Sequence, residues 1–316
     1  GEISSSPYSV DATRVHDSNT KLWVEPLGSI LDKEYPKPEP LIEGLLHSGT
    51  QTIIYGRAGS GKSYITQKLM LCLATGMDFA YYRVPKAIKI LYVDGEMLPA
   101  DLQARYRKMK PKLCNFDDWN MGLNNLHYCS RFIQPQNKQI NMETGKMEVM
   151  NDPQMLLRTL EDKANMQQLM NTIELYEYDL VVLDNIFTLF NFEDFSSPTE
   201  WLTHVQPFLN WCRQRNITVW IVDHSRKTAS AGGNSALFGS MVKQVTLDLL
   251  IQVESEKKEV DYEDDTDIEF TFKWHFEKAR HLKAIEQEDV EFQIRGGDIE
   301  VVENPYKKQM ILAKKY

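Results

Sequence analysis

One stretch of the sequence has the residue types and spacing of a phosphate-binding loop. Residues 56–63 read Gly-Arg-Ala-Gly-Ser-Gly-Lys-Ser. Glycines let the backbone curl so that successive N–H groups point at phosphate oxygens, and a helix beginning there adds its positive end. In this pattern Lys62 reaches the β and γ phosphates of ATP and the Ser63 hydroxyl coordinates Mg²⁺. The predicted phosphate-binding residues are Gly56, Arg57, Ala58, Gly59, Ser60, Gly61, Lys62, Ser63 and Tyr64.

Two acidic residues follow apolar runs that have the character of buried strands. Asp184 ends the run Asp-Leu-Val-Val-Leu-Asp, so it can hold Mg²⁺ through metal-bound water. Glu96 comes two residues after the predicted strand 87–94, at the strand end where ligands sit in open α/β sheets. A carboxylate there can deprotonate an attacking water, and we predict Glu96 as the catalytic base. Asp94 remains open, as a structural acid or as support for the site.

A histidine follows a third apolar run, residues 217–222. His224 stands in the segment Asp-His-Ser-Arg, before a loop that contains Gly232 and Gly233. A polar side chain at a strand end can contact the γ phosphate and pass its presence to the following loop. The alternative is a structural histidine whose hydrogen bonds are satisfied within the protein.

The order of predicted elements indicates an α/β fold. A strand at 52–55 leads into the glycine loop, and a helix at 63–75 stops at Gly76. The other predicted elements are strands at 87–94, 126–130, 179–184, 217–222, 244–253, 268–277 and 290–294, and helices from Pro99, within 153–176 and from a Ser197 cap to about 215. Since βα units come first and antiparallel strands last, we predict a mostly parallel twisted sheet flanked by helices.

The chain is expected to have three parts. Residues 1–48 form an arm that is either a disordered leader or packs on a neighbouring subunit, residues 49–300 form the core, and residues 301–316 form a tail. Residues 115–150 are rich in Asn and Met with weak periodicity, which favours an irregular insertion around one short strand.

Composition narrows the class of protein without identifying a partner. The chain has 316 residues, a net charge of −9 and four scattered cysteines, so we expect reduced cytoplasmic thiols and no structural zinc. The apolar runs are too short to cross a bilayer, and no membrane association is expected. The negative charge argues against coating nucleic acid through bulk electrostatics, but it allows a local basic channel.

Together the motifs resemble those of a known family. The segments GRAGSGKS, LYVDGEM, DLVVLD and WIVDHSRK, in this order, look like the RecA-type ATPase core, and most of all like plasmid RepA-type hexameric replicative helicases and related mobile-element ATPases. The resemblance covers about residues 45–285. It implies a ring of subunits, six being the expected number, with ATP and Mg²⁺ at each interface. A basic residue of the neighbouring subunit then completes catalysis, and in FEKARH the matching residues are Lys278 and Arg280, either of which could be this finger.

The same resemblance implies loops that grip single-stranded DNA. The first candidate is the loop 226–240, where Arg226, Lys227, Asn234 and Lys243 would contact phosphates. The second is the aromatic but acidic loop 187–197, which suits base stacking better than phosphate binding. The alternative is that both loops only pack within the protein.

The expected function is an ATP-driven, ring-forming DNA helicase with possible replication partners. One alternative is a non-motor ATPase that assists recombination or defence. A second is a small-molecule kinase, which the insertion disfavours because Arg131 is its only arginine.

Overall fold

The computed structural model describes residue 22 and residues 24–109, 116–133, 136–140, 147–151, 157–224, 240–257, 270–295 and 298–303. Its helices are α1 (Leu27–Leu31), α2 (Lys62–Thr75), α3 (Pro99–Met109), α4 (Phe116–Asn125), α5 (Lys163–Tyr176), α6 (Ile186–Leu189), α7 (Pro198–Glu200), α8 (Gln206–Gln214) and α9 (Ser240–Thr246). In these ranges no helix has the length and apolar character needed to span a bilayer.

The strands of the described residues follow the same chain order. They are β1 (Pro40–Ile42), β2 (Leu46–His47), β3 (Gln51–Gly56), β4 (Ile90–Asp94), β5 (Leu126–Ser130), β6 (Gln136–Ile140), β7 (Met147–Asn151), β8 (Leu180–Asp184), β9 (Thr218–His224), β10 (Leu249–Lys257), β11 (Phe270–Ala279), β12 (Val290–Arg295) and β13 (Asp298–Glu303).

The chain divides into two compact units, Gly1–Lys37 and Pro38–Tyr316. In the first unit α1 follows Pro26, and the Ser29 hydroxyl donates to the Glu25 carboxylate at 2.7 Å. The second unit begins with the antiparallel β1–β2 pair, which lies within residues 1–48, the predicted arm.

A nine-stranded sheet in the order β13-β12-β11-β10-β3-β9-β8-β4-β5 organises the second unit. The six strands from β10 to β5 are parallel, and β11 to β13 are antiparallel. The predicted fold class is therefore confirmed. Strand β3, which leads into the glycine loop, lies centrally between β10 and β9, so its end is enclosed by neighbouring strand ends.

Both faces of the central parallel strands β3, β4, β8 and β9 are buried, which explains why their sequences are mostly apolar. Side chains alternate between faces: Ile54 joins a core under α2, and Ile53 joins the core under α5 and α8. On the α2 side the antiparallel strands add a cluster of aromatic rings, in which Phe79 stacks on Trp274 with centroids 5.8 Å apart. The carboxyl ends of the parallel strands are thus held at one rigid edge.

Three local predictions differ from the structure. The strand predicted at 244–253 begins only at Leu249, because α9 continues to Thr246. Ser197 precedes α7 but its side chain makes no capping hydrogen bond, and a π-helical turn, Trp201–Val205, follows α7. The region 115–150 contains a helix, α4, that was not predicted, and its short strand β5 is an edge strand of the main sheet.

Candidate nucleotide site

The glycine loop joins β3 to α2 and closes around the Lys62 side chain. Its Nζ donates to the carbonyl oxygens of Gly56 at 3.0 Å and Arg57 at 2.7 Å. Gly61 has φ = 78°, and a Cβ there would lie 2.3 Å from the Phe272 ring, so only glycine fits. The predicted loop and helix start are present, and α2 begins at Lys62 itself. Next along the helix, Tyr64 is half-buried against the core.

The charge of the Lys62 ammonium group is disfavoured by burial in the protein without a ligand. It is 4% exposed, and burial lowers its pKa to about 8, although the negative charges of Asp184, Asp223 and Glu96 oppose the shift. A phosphate group placed in the loop would supply the missing counter-charge. The side chain is therefore arranged to bind an anion.

Asp184 faces this loop from the end of β8. Ser63 donates its hydroxyl to Oδ1 of Asp184 at 3.0 Å, and Tyr92 donates its hydroxyl to Oδ2 at 2.5 Å. Burial raises the pKa of Asp184 to about 6, while both hydrogen bonds oppose that rise. A serine hydroxyl and a buried carboxylate in contact are hard oxygen ligands that fit Mg²⁺, directly or through water. Bound Mg²⁺ would neutralise charge on the phosphates.

Glu96 lies beside Asp184, because β4 and β8 are neighbours in register, with Asp94 opposite Asp184. Asn185 donates its side-chain amide to Oε2 of Glu96 at 2.7 Å. The Glu96 side chain is exposed, so water can reach it. This is the geometry expected of a positioned base that awaits a substrate water.

Asp94 is buried behind Glu96 at 2% exposure. Its Oδ1 accepts the backbone N–H groups of Glu96 at 2.9 Å and Met97 at 3.0 Å, and burial raises its pKa. Within the described ranges, Oδ2 of Asp94 has no hydrogen-bond partner. Asp94 therefore shapes the turn that carries Glu96.

His224 ends β9, where it is the register partner of Gly56 at the start of the loop. Its ring meets the edge of Phe187, with centroids 5.4 Å apart. Burial, followed by the charge of Lys62, lowers the pKa of His224 and so favours the neutral ring. A neutral ring beside the loop is compatible with the predicted contact to the γ phosphate, which stays a prediction.

Lys243 does not fit its predicted contact with DNA phosphates. Its side chain is 4% exposed, and Nζ forms an ion pair with the fully buried Asp223 at 2.5 Å. The Trp201 ring covers the same ammonium group at 4.9 Å. A lysine paired and enclosed in this way has no surface to offer a DNA backbone. The other three predicted DNA ligands, Arg226, Lys227 and Asn234, lie outside the described residues.

Lys278 and Arg280 lie at the opposite edge of the sheet from the glycine loop. Lys278 is the register partner of Leu250, which in turn pairs with Ile53 in the first half of β3. Both cations donate to the Val245 carbonyl at the end of α9, at 3.4 Å from Lys278 and 2.9 Å from Arg280. Arg280 is also 3.6 Å from the Asp248 carboxylate, and its side chain is 48% exposed.

Two residues of the site, Tyr92 and Asn185, were not predicted. Tyr92 is two residues before Asp94 and therefore on the same face of β4, because side chains alternate along a strand. This spacing could have indicated that Tyr92 lies near the acids of the site. Asn185 begins α6 with a capping box to Thr188, and the pattern Asn-x-x-Thr after a strand indicates that cap. The pairing of each with a particular carboxylate depends on strand order, which the sequence does not state.

A parallel sheet that carries a glycine loop, its lysine and a facing Ser–Asp pair at one edge defines a RecA-like P-loop ATPase. A family model described as an AAA domain matches residues 20–230, and the chain belongs to that family. Among solved structures, the chain resembles a KaiC-like protein from the hyperthermophilic archaeon Pyrococcus horikoshii, with a TM-score of 0.51 and 13% identity, over 83% of this chain and 94% of that one. At that identity the likeness shows the fold. No curated protein matches the sequence.

Proposed function

We propose that this ATPase works as a ring, in which each nucleotide lies between two subunits, and that the ring moves along single-stranded DNA as a replicative helicase of the RepA type does. ATP and Mg²⁺ are the proposed ligands of the site. The observation that supports the ring is the location of Lys278 and Arg280, on the far side of the sheet from the loop that holds Lys62.

The separation follows from the strand register. Lys278 is level with Ile53, three residues before Gly56, and strands rise about 3.3 Å per residue, so about 10 Å of strand lie between Lys278 and the start of the loop. Both cations are also held on Val245, which directs them away from their own nucleotide. They can complete a phosphate site in a neighbouring subunit if the subunits pack head to tail, as ring interfaces do.

Mixed rings test this arrangement. Lys62→Ala and Arg280→Ala are each expected to be inactive alone. When the two variants are co-expressed and purified together by separate tags, random mixing leaves about a quarter of the interfaces with an intact loop and an intact finger, so about a quarter of wild-type ATPase activity returns. Repeating the mixture with Lys278→Ala identifies which residue is the finger.

The control mixes two variants whose substituted residues both lie at the loop edge of the sheet. Lys62→Ala mixed with Glu96→Gln should not recover activity, because both residues serve the same subunit's nucleotide. Failure of the first mixtures to recover, or equal recovery in the control, would refute the proposed interfacial site.

DNA binding has its own prediction. ATP hydrolysis is expected to rise several-fold with single-stranded DNA and much less with duplex, and the double variant Arg226→Ala/Lys227→Ala should lose this stimulation while keeping the basal rate. Raising the salt concentration should also weaken the stimulation by single-stranded DNA, because phosphate contacts release counterions. A wild-type rate indifferent to single-stranded DNA would exclude the motor and leave the ATPase intact.

A non-motor ATPase that assists recombination or defence is the second candidate. The burial of Lys243 favours it, since one of four proposed phosphate contacts is removed in a chain of net charge −9. A strand-displacement assay on a forked duplex separates the two, because only a helicase releases the displaced strand.

A further inference from the structure

We propose that Tyr92 is a positioning residue that fixes the orientation of the Asp184 carboxylate for Mg²⁺. The inference rests on the proposed binding of ATP and Mg²⁺, and it assigns a role within that site to a residue for which the sequence predicted none.

The Asp184 carboxylate is held from both of its oxygens. Ser63 donates to Oδ1 at 3.0 Å, and Tyr92 donates to Oδ2 at 2.5 Å. Asp184 is 3% exposed and Tyr92 is fully buried, so bulk water cannot replace the phenol as donor. Because a carboxylate rotates about one bond, a donor on Oδ2 also determines where Oδ1 points. Oδ1 is the oxygen that accepts the hydrogen bond from Ser63, the predicted Mg²⁺ ligand.

Tyr92 is itself locked in place by its neighbours. Its ring stacks on Tyr128 of the adjacent strand β5, with centroids 4.7 Å apart and planes 17° from parallel. The Tyr128 hydroxyl is in turn hydrogen-bonded to the Tyr106 hydroxyl of α3 at 2.5 Å. The Tyr92 ring is thus held by stacking on its neighbour, and of these three tyrosines only Tyr92 donates a hydrogen bond to the Asp184 carboxylate.

The chemistry predicts a specific consequence of removing this hydroxyl. A hydrogen bond to an ionised group is stronger than one between neutral groups, and an unpaired buried carboxylate oxygen is costly. Without Tyr92 the carboxylate turns or loses its ordered contact with Ser63, so Mg²⁺ meets a disordered pair of ligands. Binding of nucleotide without the metal does not use Asp184 and should be unaffected.

The test compares two variants that each remove one hydroxyl from the same pair of stacked rings. Tyr92→Phe removes the donor to Asp184, whereas Tyr128→Phe removes a hydroxyl that is hydrogen-bonded to Tyr106 and keeps the ring that stacks on Tyr92. Binding of a fluorescent ATP analogue is titrated with Mg²⁺ and then repeated with EDTA. For Tyr92→Phe the Mg²⁺ concentration at half-maximal effect should rise about tenfold, which corresponds to about 1.4 kcal/mol, with unchanged affinity in EDTA. For Tyr128→Phe both values should match the wild type.

The possible outcomes separate this inference from the proposed function. If the wild type binds the analogue with Mg²⁺ dependence and Tyr92→Phe behaves identically, the positioning role is wrong and the ATPase stands. If the half-maximal Mg²⁺ concentration rises equally in both variants, Tyr92 acts only through packing and the positioning role is wrong. The same holds if Tyr92→Phe also loses affinity for the analogue in EDTA. If the wild type binds no nucleotide or ignores Mg²⁺, both the inference and the proposed function fail. Thermal unfolding of each variant reports whether the fold is kept.

Discussion

Replacing Lys62 with alanine is expected to lower the rate of ATP hydrolysis by at least about a hundredfold, the size of effect seen when one group that stabilises transition-state charge is removed. Lys62 is the buried cation of the glycine loop, where its ammonium group is held by the Gly56 and Arg57 carbonyls. Release of inorganic phosphate at saturating ATP measures the rate, and the rise in melting temperature on adding ATP measures binding.

The same substitution should leave the free protein as stable as before. Burial lowers the pKa of Lys62 to about 8, which means that the folded chain disfavours its charge. Losing the ammonium group relieves that cost while it removes three hydrogen bonds, to the Gly56 and Arg57 carbonyls and the Ser60 hydroxyl. Lys86→Ala is the matched control, because that lysine is exposed and paired with Glu39 away from the loop. Normal hydrolysis by Lys62→Ala would contradict the assignment of the site.

Replacing Glu96 with glutamine is expected to abolish hydrolysis while nucleotide still binds. The loss should be about 10² to 10⁴-fold, the range for removal of a general base. Glutamine keeps the size of the side chain and an oxygen that can accept the Asn185 amide, so the geometry at the end of β4 is conserved and only the proton acceptor disappears. Phosphate release measures the loss of hydrolysis, and the affinity for an ATP analogue measures whether nucleotide binding is retained.

Glu43→Gln is the control for that experiment, since Glu43 is a half-exposed acid paired with Arg83 on the surface. If Glu96→Gln turned over ATP at the wild-type rate, the base would have to be another carboxylate of the edge. Asp94 would be the next to test, because its Oδ2 is buried without a partner in the described chain.

The predictions that succeeded rest on short stretches of sequence. The loop from Gly56 to Ser63 carries its geometry in the residues themselves, because glycine at 61 and a helix start at 62 are local requirements. The apolar run before Asp184 predicted β8, and the strand order then brought Asp184 to Ser63. Lys243 shows the opposite case, because its burial depends on Asp223 and Trp201, which are distant in the sequence and have no local signature.

The sequence by itself determined the phosphate loop, the class of sheet and the acids that end two of its strands, because motif spacing and hydrophobic period act over a few residues. Only the tertiary structure decided which partner each acid meets: Tyr92 and Ser63 for Asp184, and Asn185 for Glu96. It also decided that Lys278 and Arg280 lie at the edge away from the loop. These facts follow from strand order and register, which depend on contacts between segments far apart in the chain and have no local signature.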